Sequence, residues 1–257
     1  MHFTRAIVRR PAASFADGIT SSGLGSPDLA LALVQHEAYC RRLELLGLSL
    51  VRLPADPSFP DSTFVEDAAI VTSRGAILTR PGAPSRAGEV TALGAELDRW
   101  FPELDRISPP GTVDGGDVCE VGPHFFIGVS ERTNPEGAAQ LAAWLEGRGL
   151  GSSLIDIRKM RGMLPLKTGL SWLGGRRLLT WREVAGHEAL RGWEVVEVPK
   201  GEEYAANCIE INDAVLVARG FPQTAALLRG LGHEVVELDM SEYRKMDGGL
   251  SCLSVRW

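Results

Sequence analysis

Leu48-Ser49-Leu50-Val51-Arg52-Leu53 runs straight into Pro54-Ala55-Asp56. This join of a short strand-like stretch to a turn cluster decides the fold, because the chain repeats it. Leu104-Asp105-Arg106-Ile107-Ser108 runs into Pro109-Pro110-Gly111, and Ser153-Leu154-Ile155-Asp156-Ile157 into Arg158-Lys159-Met160. Trp193-Glu194-Val195-Val196-Glu197-Val198 runs into Pro199-Lys200-Gly201-Glu202, and Glu234-Val235-Val236-Glu237-Leu238 into Asp239-Met240-Ser241-Glu242. The recurrence comes about every forty to fifty residues, the range in which self-similarity marks a repeat architecture.

A helix-patterned segment precedes each run. Pro27 to Leu46 carries Leu29, Leu33, His36, Ala38, Leu43 and Leu46 at helical spacing, and Gly47 stops it as a C-terminal cap. Ala87 to Trp100 precedes the second run. Asn134 to Leu145 precedes the third, with Asn134 as N-cap, Pro135 at the first helical position and Glu136 in the first turn. The fourth is the weaker Glu183 to Leu190, and the fifth is Gln223 to Leu231, stopped by Gly232. Extra strands fall at 69–72, 76–79, 124–128 and 214–217. The expectation is an α/β chain of five strand-strand-helix-strand units forming one domain over residues 1–257. An open α/β sheet accommodates the same elements; the even spacing favours a closed ring, each unit packed on its neighbours. In a ring the loops after equivalent strands converge on one axis.

The composition narrows the function classes. A chain of 257 residues that is 44% hydrophobic can bury an ordinary core. Its net charge of -6, with no basic stretch, argues against nucleic acid. The N-terminus has no long apolar run, so no signal peptide is expected, and no apolar stretch is long enough to span a bilayer. Cys40, Cys119, Cys208 and Cys252 are widely spaced and suggest neither a zinc cluster nor a disulfide framework. Free thiols fit a reducing compartment, so a cytoplasmic location is expected, with no metal and no cofactor.

Chemistry-bearing residues gather in the loops. The first reads Phe59-Pro60-Asp61-Ser62-Thr63-Phe64-Val65-Glu66-Asp67, three carboxylates within seven residues. An acidic cluster is usually a solvated turn, but Phe64 and Val65 draw this one inward. The second reads Gly111-Thr112-Val113-Asp114-Gly115-Gly116-Asp117, where glycines bring backbone close to a carboxylate. Arg86 and Arg132 lie in turn-like surroundings; each reads as a surface ion pair or as a fork for a carboxylate. Near the end, Met246-Asp247-Gly248-Gly249-Leu250-Ser251-Cys252 places a cysteine after a glycine turn and before the strand-like Leu253-Ser254-Val255. A lone cysteine is more often a small core residue; the rest of the chain is what lifts this one toward a presented nucleophile. Several carboxylates, two arginines and a thiol suit a cationic amino acid. Paired carboxylates receive a planar guanidinium, and a thiolate attacks its carbon.

Phe59-Pro60-Asp61-Ser62 with Phe64-Val65-Glu66-Asp67, Arg80-Pro81-Gly82-Ala83, Gly111 to Asp117, Glu203-Tyr204-Ala205-Ala206-Asn207-Cys208 and Ser241-Glu242-Tyr243-Arg244-Lys245 through Cys252 resemble the dimethylarginine dimethylaminohydrolases of the guanidino-modifying (pentein) superfamily. The resemblance runs nearly end to end. It implies a five-bladed ring of ββαβ units with pseudo-fivefold symmetry and the site on its axis. It implies that Cys252 attacks the guanidinium carbon of an Nω-methylated arginine. Methylamine or dimethylamine then leaves, and water releases citrulline from a thiouronium intermediate. By the same resemblance Asp67 and Asp114 grip the guanidinium, Arg86 and Arg132 clamp the α-carboxylate, and Asp61, Glu66 and the backbone at Ile19 contact the substrate or its entrance. A homodimer is left open.

One position departs from the family. Its catalytic histidine precedes Leu-Lys-Thr or Leu-Lys-Ser, and this chain has Pro165 in Leu164-Pro165-Leu166-Lys167-Thr168, after a Met160-Arg161-Gly162-Met163 stretch about three residues longer than expected. Proline neither protonates an amine nor activates water, a contribution typically worth ~10²–10⁴-fold. None of His2, His36, His124, His187 or His233 lies in the matched loops. Lys167 shares a face with Pro165 if the segment is extended, and donates a proton only with a depressed pKa. Three readings follow: a methylarginine hydrolase with another group in the histidine's place, a related enzyme acting on a guanidino or amidino compound with a better leaving group, or a binding protein that keeps the pocket.

Overall fold

A computed structural model describes residues 2–160 and 162–257. Met1 and Arg161 lie outside the described residues, so the lengthened stretch at 160–163 is seen only on either side of Arg161.

The elements follow the repeat. In chain order they begin with β1 (Arg5–Arg9), α1 (Leu29–Leu45) and β2 (Ser49–Leu53). Next come β3 (Ala69–Thr72), β4 (Gly75–Leu78), α2 (Glu89–Leu97) and β5 (Leu104–Arg106), then β6 (Val118–Val121), β7 (His124–Val129), α3 (Pro135–Glu146) and β8 (Gly151–Asp156). The fourth set is β9 (Leu170–Trp172), β10 (Arg177–Thr180), α4 (Arg182–Ala185) and β11 (Glu194–Glu197). The fifth is β12 (Ile209–Ile211), β13 (Ala214–Ala218), α5 (Pro222–Gly230) and β14 (Glu234–Leu238), and α6 (Ser241–Arg244) and β15 (Val255–Arg256) close the chain. These strands form five three-stranded sheets, each an antiparallel pair extended by a parallel strand beyond a helix.

Two compact units divide the chain: residues 67–207, and residues 1–66 with 208–257. Residues 67–207 hold three sheets, β3-β4-β5, β6-β7-β8 and β11-β10-β9. Their register is set by tight hairpins, as where Val118 faces Ile127 and Val121 faces His124. Asn134 caps α3 by accepting from Gly137 N at 2.8 Å, and the buried stripe Ala138, Leu141 and Leu145 packs on Ile77, Val118, Phe125 and Ile127. A second cluster joins Phe126, Ile155, Leu166, Leu170 and Leu178. The expected helix at 183–190 is broken in two: α4 has four residues, and after Gly186 a 3-10 turn covers Glu188–Leu190. A glycine at the centre of so short a segment stops it from propagating.

In the other unit β12-β13-β14 forms one sheet, and β15-β1-β2 the other. The latter joins the two ends of the sequence, with Ala6 opposite Arg256 and Ile7 opposite Val255. Asp28 starts α1 by accepting from Ala30 N and Leu31 N, and Gly47, at φ +93, ends it. The buried face of α1 is Ala32, His36, Tyr39, Cys40 and Leu43. It is rotated from the expected one: Leu33 is half-buried and Ala38 exposed, because the large Tyr39 ring rather than Leu33 fills the core. The expected Leu253-Ser254-Val255 strand is also displaced. Ser251–Leu253 is a 3-10 turn, and the strand is only Val255–Arg256. Arg256 enforces the turn by donating to the carbonyls of Ser251 and Ser254 at once.

Candidate active site

Asp67, Arg86, Asp114, Arg132 and Pro165 all belong to residues 67–207. Each sits at the same end of its hairpin, just before the first strand or just after the second, so β-pairing alone brings their loops to one end of each sheet. Asp67 is buried. Its Oδ2 accepts from Arg86 Nη1 at 2.5 Å and its Oδ1 from Gly116 N at 2.9 Å. Burial opposes its charge, but Arg86 and Arg132 outweigh burial and hold the carboxyl below its ordinary range. Arg86 is buried as well. Its other edge donates to Glu89, with Nε 3.0 Å from Oε1 and Nη2 2.7 Å from Oε2. The arginine expected to meet a substrate carboxylate is thus bridged between Asp67 and Glu89.

Asp114 is completely buried. Its Oδ1 accepts from Gly82 N at 3.0 Å. Its Oδ2 has no hydrogen-bond partner; Arg132 Nη1 stands 3.7 Å away. Burial, reinforced by the neighbouring Asp67 charge, moves the Asp114 pKa up to about 7 against the pull of Arg86 and Arg132. Arg132 is the more open of the two arginines, with a side chain 21% exposed.

Asp117 completes this group. It too is completely buried, and it accepts from Ser130 Oγ at 2.6 Å, Thr133 Oγ1 at 2.7 Å and Leu166 N at 2.9 Å. Burial nonetheless pushes its carboxyl up. Through Leu166 it fixes the segment that starts at Pro165. Pro165 is buried against Gly116: a Cβ added there would lie 2.6 Å from Pro165 Cγ and 2.8 Å from Asp67 Oδ1. The position where the resemblance leads one to expect a histidine therefore holds a hydrocarbon ring close to Asp67. Leu166–Thr168 is a 3-10 turn rather than extended. Lys167 is thereby rotated off the face of Pro165, and its carbonyl accepts from Asn207 Nδ2. Of the histidines in this unit, His124 is at the far end of the β6–β7 hairpin, on Ser153, and His187 caps the Glu188–Leu190 turn.

Cys252, Asp61, Glu66 and Ile19 belong to the other unit. Cys252 is buried in the Ser251–Leu253 turn. Gly248, before it, is needed for close approach: a Cβ there would sit 2.3 Å from the Phe64 ring. The left-handed residue of this loop is Asp247, at φ +56. Arg256 pins the turn from behind and donates to Glu66 Oε1 at 3.2 Å. Asp61 accepts from Ile19 N with both oxygens, at 3.2 and 3.1 Å, and Asp247 takes Ser21 N and Ser21 Oγ. Cys40, by contrast, is a structural thiol of α1, pushed up to about 12 by burial.

The sequence reading passed over Glu89, Asp117 and Arg256. Glu89 was signalled by its i,i+3 spacing from Arg86, and Asp117 by its place in the Asp-Gly-Gly-Asp run. Arg256 was missed because one of its partners, Glu66, lies 190 residues away, although Ser251 and Ser254 are close in sequence. Among the described residues no group of three His, Cys, Asp or Glu side chains is arranged to hold a metal ion, and no helix is long and apolar enough to cross a membrane.

Residues 55–197 match the family model described as arginine deiminase, which sets the class as guanidino-modifying. The N(G),N(G)-dimethylarginine dimethylaminohydrolase of Pseudomonas aeruginosa is 47% identical over 256 residues, covering 99% of this chain and 100% of that one. A histidine-to-glycine variant of a dimethylarginine dimethylaminohydrolase, solved as its adduct with S-methyl-L-thiocitrulline, superposes with a TM-score of 0.95 at 47% identity over 99% of this chain and 100% of that one. A cysteine-to-serine variant of the P. aeruginosa enzyme with citrulline gives 0.96 at 46% identity, covering both chains fully. The chain belongs to the dimethylarginine dimethylaminohydrolase family.

Proposed function

We propose that this chain hydrolyses Nω-methylated arginine to citrulline and a methylamine through a covalent adduct on Cys252. The observation that carries the reading is Asp114 Oδ2, a buried carboxylate oxygen without a donor beside the buried Asp67. An unpaired buried acceptor is costly, and a guanidinium N–H is the donor it fits. In this reading Asp67 and Asp114 receive the guanidinium, Arg86 and Arg132 set the α-carboxylate end, and Asp61, Glu66 and Ile19 order the amino-acid end. The five like-built sheets are the blades of one closed ring and one domain over 1–257, with the site on its axis. The location is cytoplasmic.

Pro165 favours a second reading, an enzyme for a guanidino or amidino compound whose leaving group needs no acid. The solved histidine-to-glycine relative in its S-methyl-L-thiocitrulline adduct supports covalent chemistry at a family site altered at a histidine. The test is citrulline release from Nω,Nω-dimethyl-L-arginine by the parent, Cys252→Ala and Pro165→His. Turnover by the parent that Cys252→Ala abolishes supports the first reading. Turnover by Pro165→His alone supports the second.

A further inference from the structure

Resting on that reading, we propose that Asp114 is the general acid and base of this chain, carrying the proton that the family's histidine carries elsewhere. Three buried carboxyl groups lie together here, and their hydrogen bonds separate them. Asp67 has both oxygens committed, one to Arg86 and one to Gly116 N. Asp117 has both committed, to Leu166 N on one side and to Ser130 and Thr133 on the other. Asp114 has one committed oxygen and one without a hydrogen-bond donor, Oδ2, which Arg132 Nη1 faces from 3.7 Å. A proton shuttle needs a single oxygen that exchanges its proton with the reacting atom and an anchor that keeps the group still. Only Asp114 has both among these three: Gly82 N anchors Oδ1, and Thr133 Oγ1 accepts from the Asp114 backbone N–H at 3.1 Å.

The charges facing Asp114 are Asp67, Arg86 and Arg132. Burial and Asp67 together win over the two arginines, and the group titrates at about 7. That is close to the ordinary value for imidazole. Burial between a carboxylate and two arginines thus gives a carboxyl the working range of the missing histidine. Pro165 contributes by exclusion: its ring fills the face next to Gly116 and Asp67 and holds no proton of its own.

The steps balance. The Cys252 thiolate forms a bond to the guanidinium carbon, giving a neutral tetrahedral adduct. The bond to the dimethylamino nitrogen breaks as that nitrogen takes the Asp114 proton. Neutral dimethylamine leaves, and a cationic thiouronium and an Asp114 carboxylate remain. Water then adds to the same carbon and passes one proton to Asp114. Collapse breaks the carbon–sulfur bond, returns the thiolate, and releases citrulline as the hydroxyl proton leaves to solvent.

Two substrates that differ in their leaving group test this. Dimethylamine must be protonated to depart; the methanethiol of S-methyl-L-thiocitrulline departs as a thiolate. Adduct formation on Cys252 is followed by mass spectrometry from pH 5.5 to 9 for the parent, Asp114→Asn and Asp114→Glu. The ratio of the two substrates' rates cancels ionisation of Cys252. Asp114→Asn is expected to slow adduct formation from both substrates, from dimethylarginine by ~10²–10⁴-fold more than from S-methyl-L-thiocitrulline, and to flatten the ratio's pH dependence. In the parent that ratio falls as pH rises through about 7, because the acid form is consumed. Asp114→Glu, which restores a carboxyl, is expected to regain the pH dependence, showing that the Asn variant lost a proton rather than its fold. Equal losses for both substrates with an unchanged ratio would overturn the proposal and leave the hydrolase reading standing. No adduct from either substrate in the parent would bring down both.

Discussion

Asp117→Asn keeps the size of a buried side chain and changes only its count of protons. The carboxylate receives three: Leu166 N–H at 2.9 Å on Oδ1, and the hydroxyls of Ser130 at 2.6 Å and Thr133 at 2.7 Å on Oδ2. Those hydroxyl oxygens are themselves in use. Ser130 Oγ accepts from Arg132 N at 3.0 Å and Thr133 N at 3.1 Å, and Thr133 Oγ1 accepts from Asp114 N at 3.1 Å. An amide turned with its NH₂ toward the hydroxyls meets a serine oxygen with no lone pair left. Turned the other way, it aims a donor at the Leu166 N–H. Either orientation strands at least one buried donor, at ~1–3 kcal/mol, and turns charge-assisted bonds into ordinary ones, at about 1 kcal/mol more. Relief of the carboxylate's desolvation works the other way and sets the low end. The expected net loss is about 2–4 kcal/mol, a fall in melting midpoint of roughly 4–16 °C for a chain of this size. Thermal melts at pH 8, followed by circular dichroism, measure it. A variant that melts within about 2 °C of the parent would show the proton count to be wrong.

Asp114 should couple stability to pH. Its folded pKa is raised to about 7, so its contribution is greatest below the unfolded value near 4 and is lost as pH rises through about 7; relative to the parent, Asp114→Asn should gain urea resistance between pH 5 and pH 8, and a pH-independent difference would contradict this. Gly116→Ala puts a methyl 2.6 Å from Pro165 Cγ and 2.8 Å from Asp67 Oδ1, an overpacking cost of ~1–3 kcal/mol; citrulline release should fall with stability, and normal turnover would argue against so tight a contact. Arg256→Lys loses the fork that holds Ser251 O, Ser254 O and Glu66; a drop of about 1–3 kcal/mol in unfolding free energy is expected, together with slower adduct formation on Cys252. Gly137→Ala sets a methyl against the Thr112 backbone, which cannot swing aside as a side chain would, so little folded protein should be recovered.

Much of the fold was legible because it is written in local chemistry. The strand-plus-turn repeat, the cap at Asn134 and the stops at Gly47 and Gly232 each depend on a few neighbouring residues, and each lies where expected. The misreadings share a cause. The rotated face of α1 follows from which side chain fills the core, and the 3-10 turn around Cys252 follows from Arg256. The first depends on the packed core, and the second on the pairing of β15 with β1 that carries Arg256.

The sequence by itself determined the five-unit α/β plan, the acid-rich loops, the late cysteine and a proline at position 165. Periodicity, turn residues and residue identity are all properties of the string. Only the tertiary structure decided how the charges divide. It bound Arg86 between Asp67 and Glu89, committed both oxygens of Asp117, and left Asp114 Oδ2 without a hydrogen-bond donor in a buried place. It also joined the chain's ends through β1 and β15. Identical carboxyl groups acquire different proton affinities only from burial and from partners tens of residues away, and those distances exist only once the chain has folded.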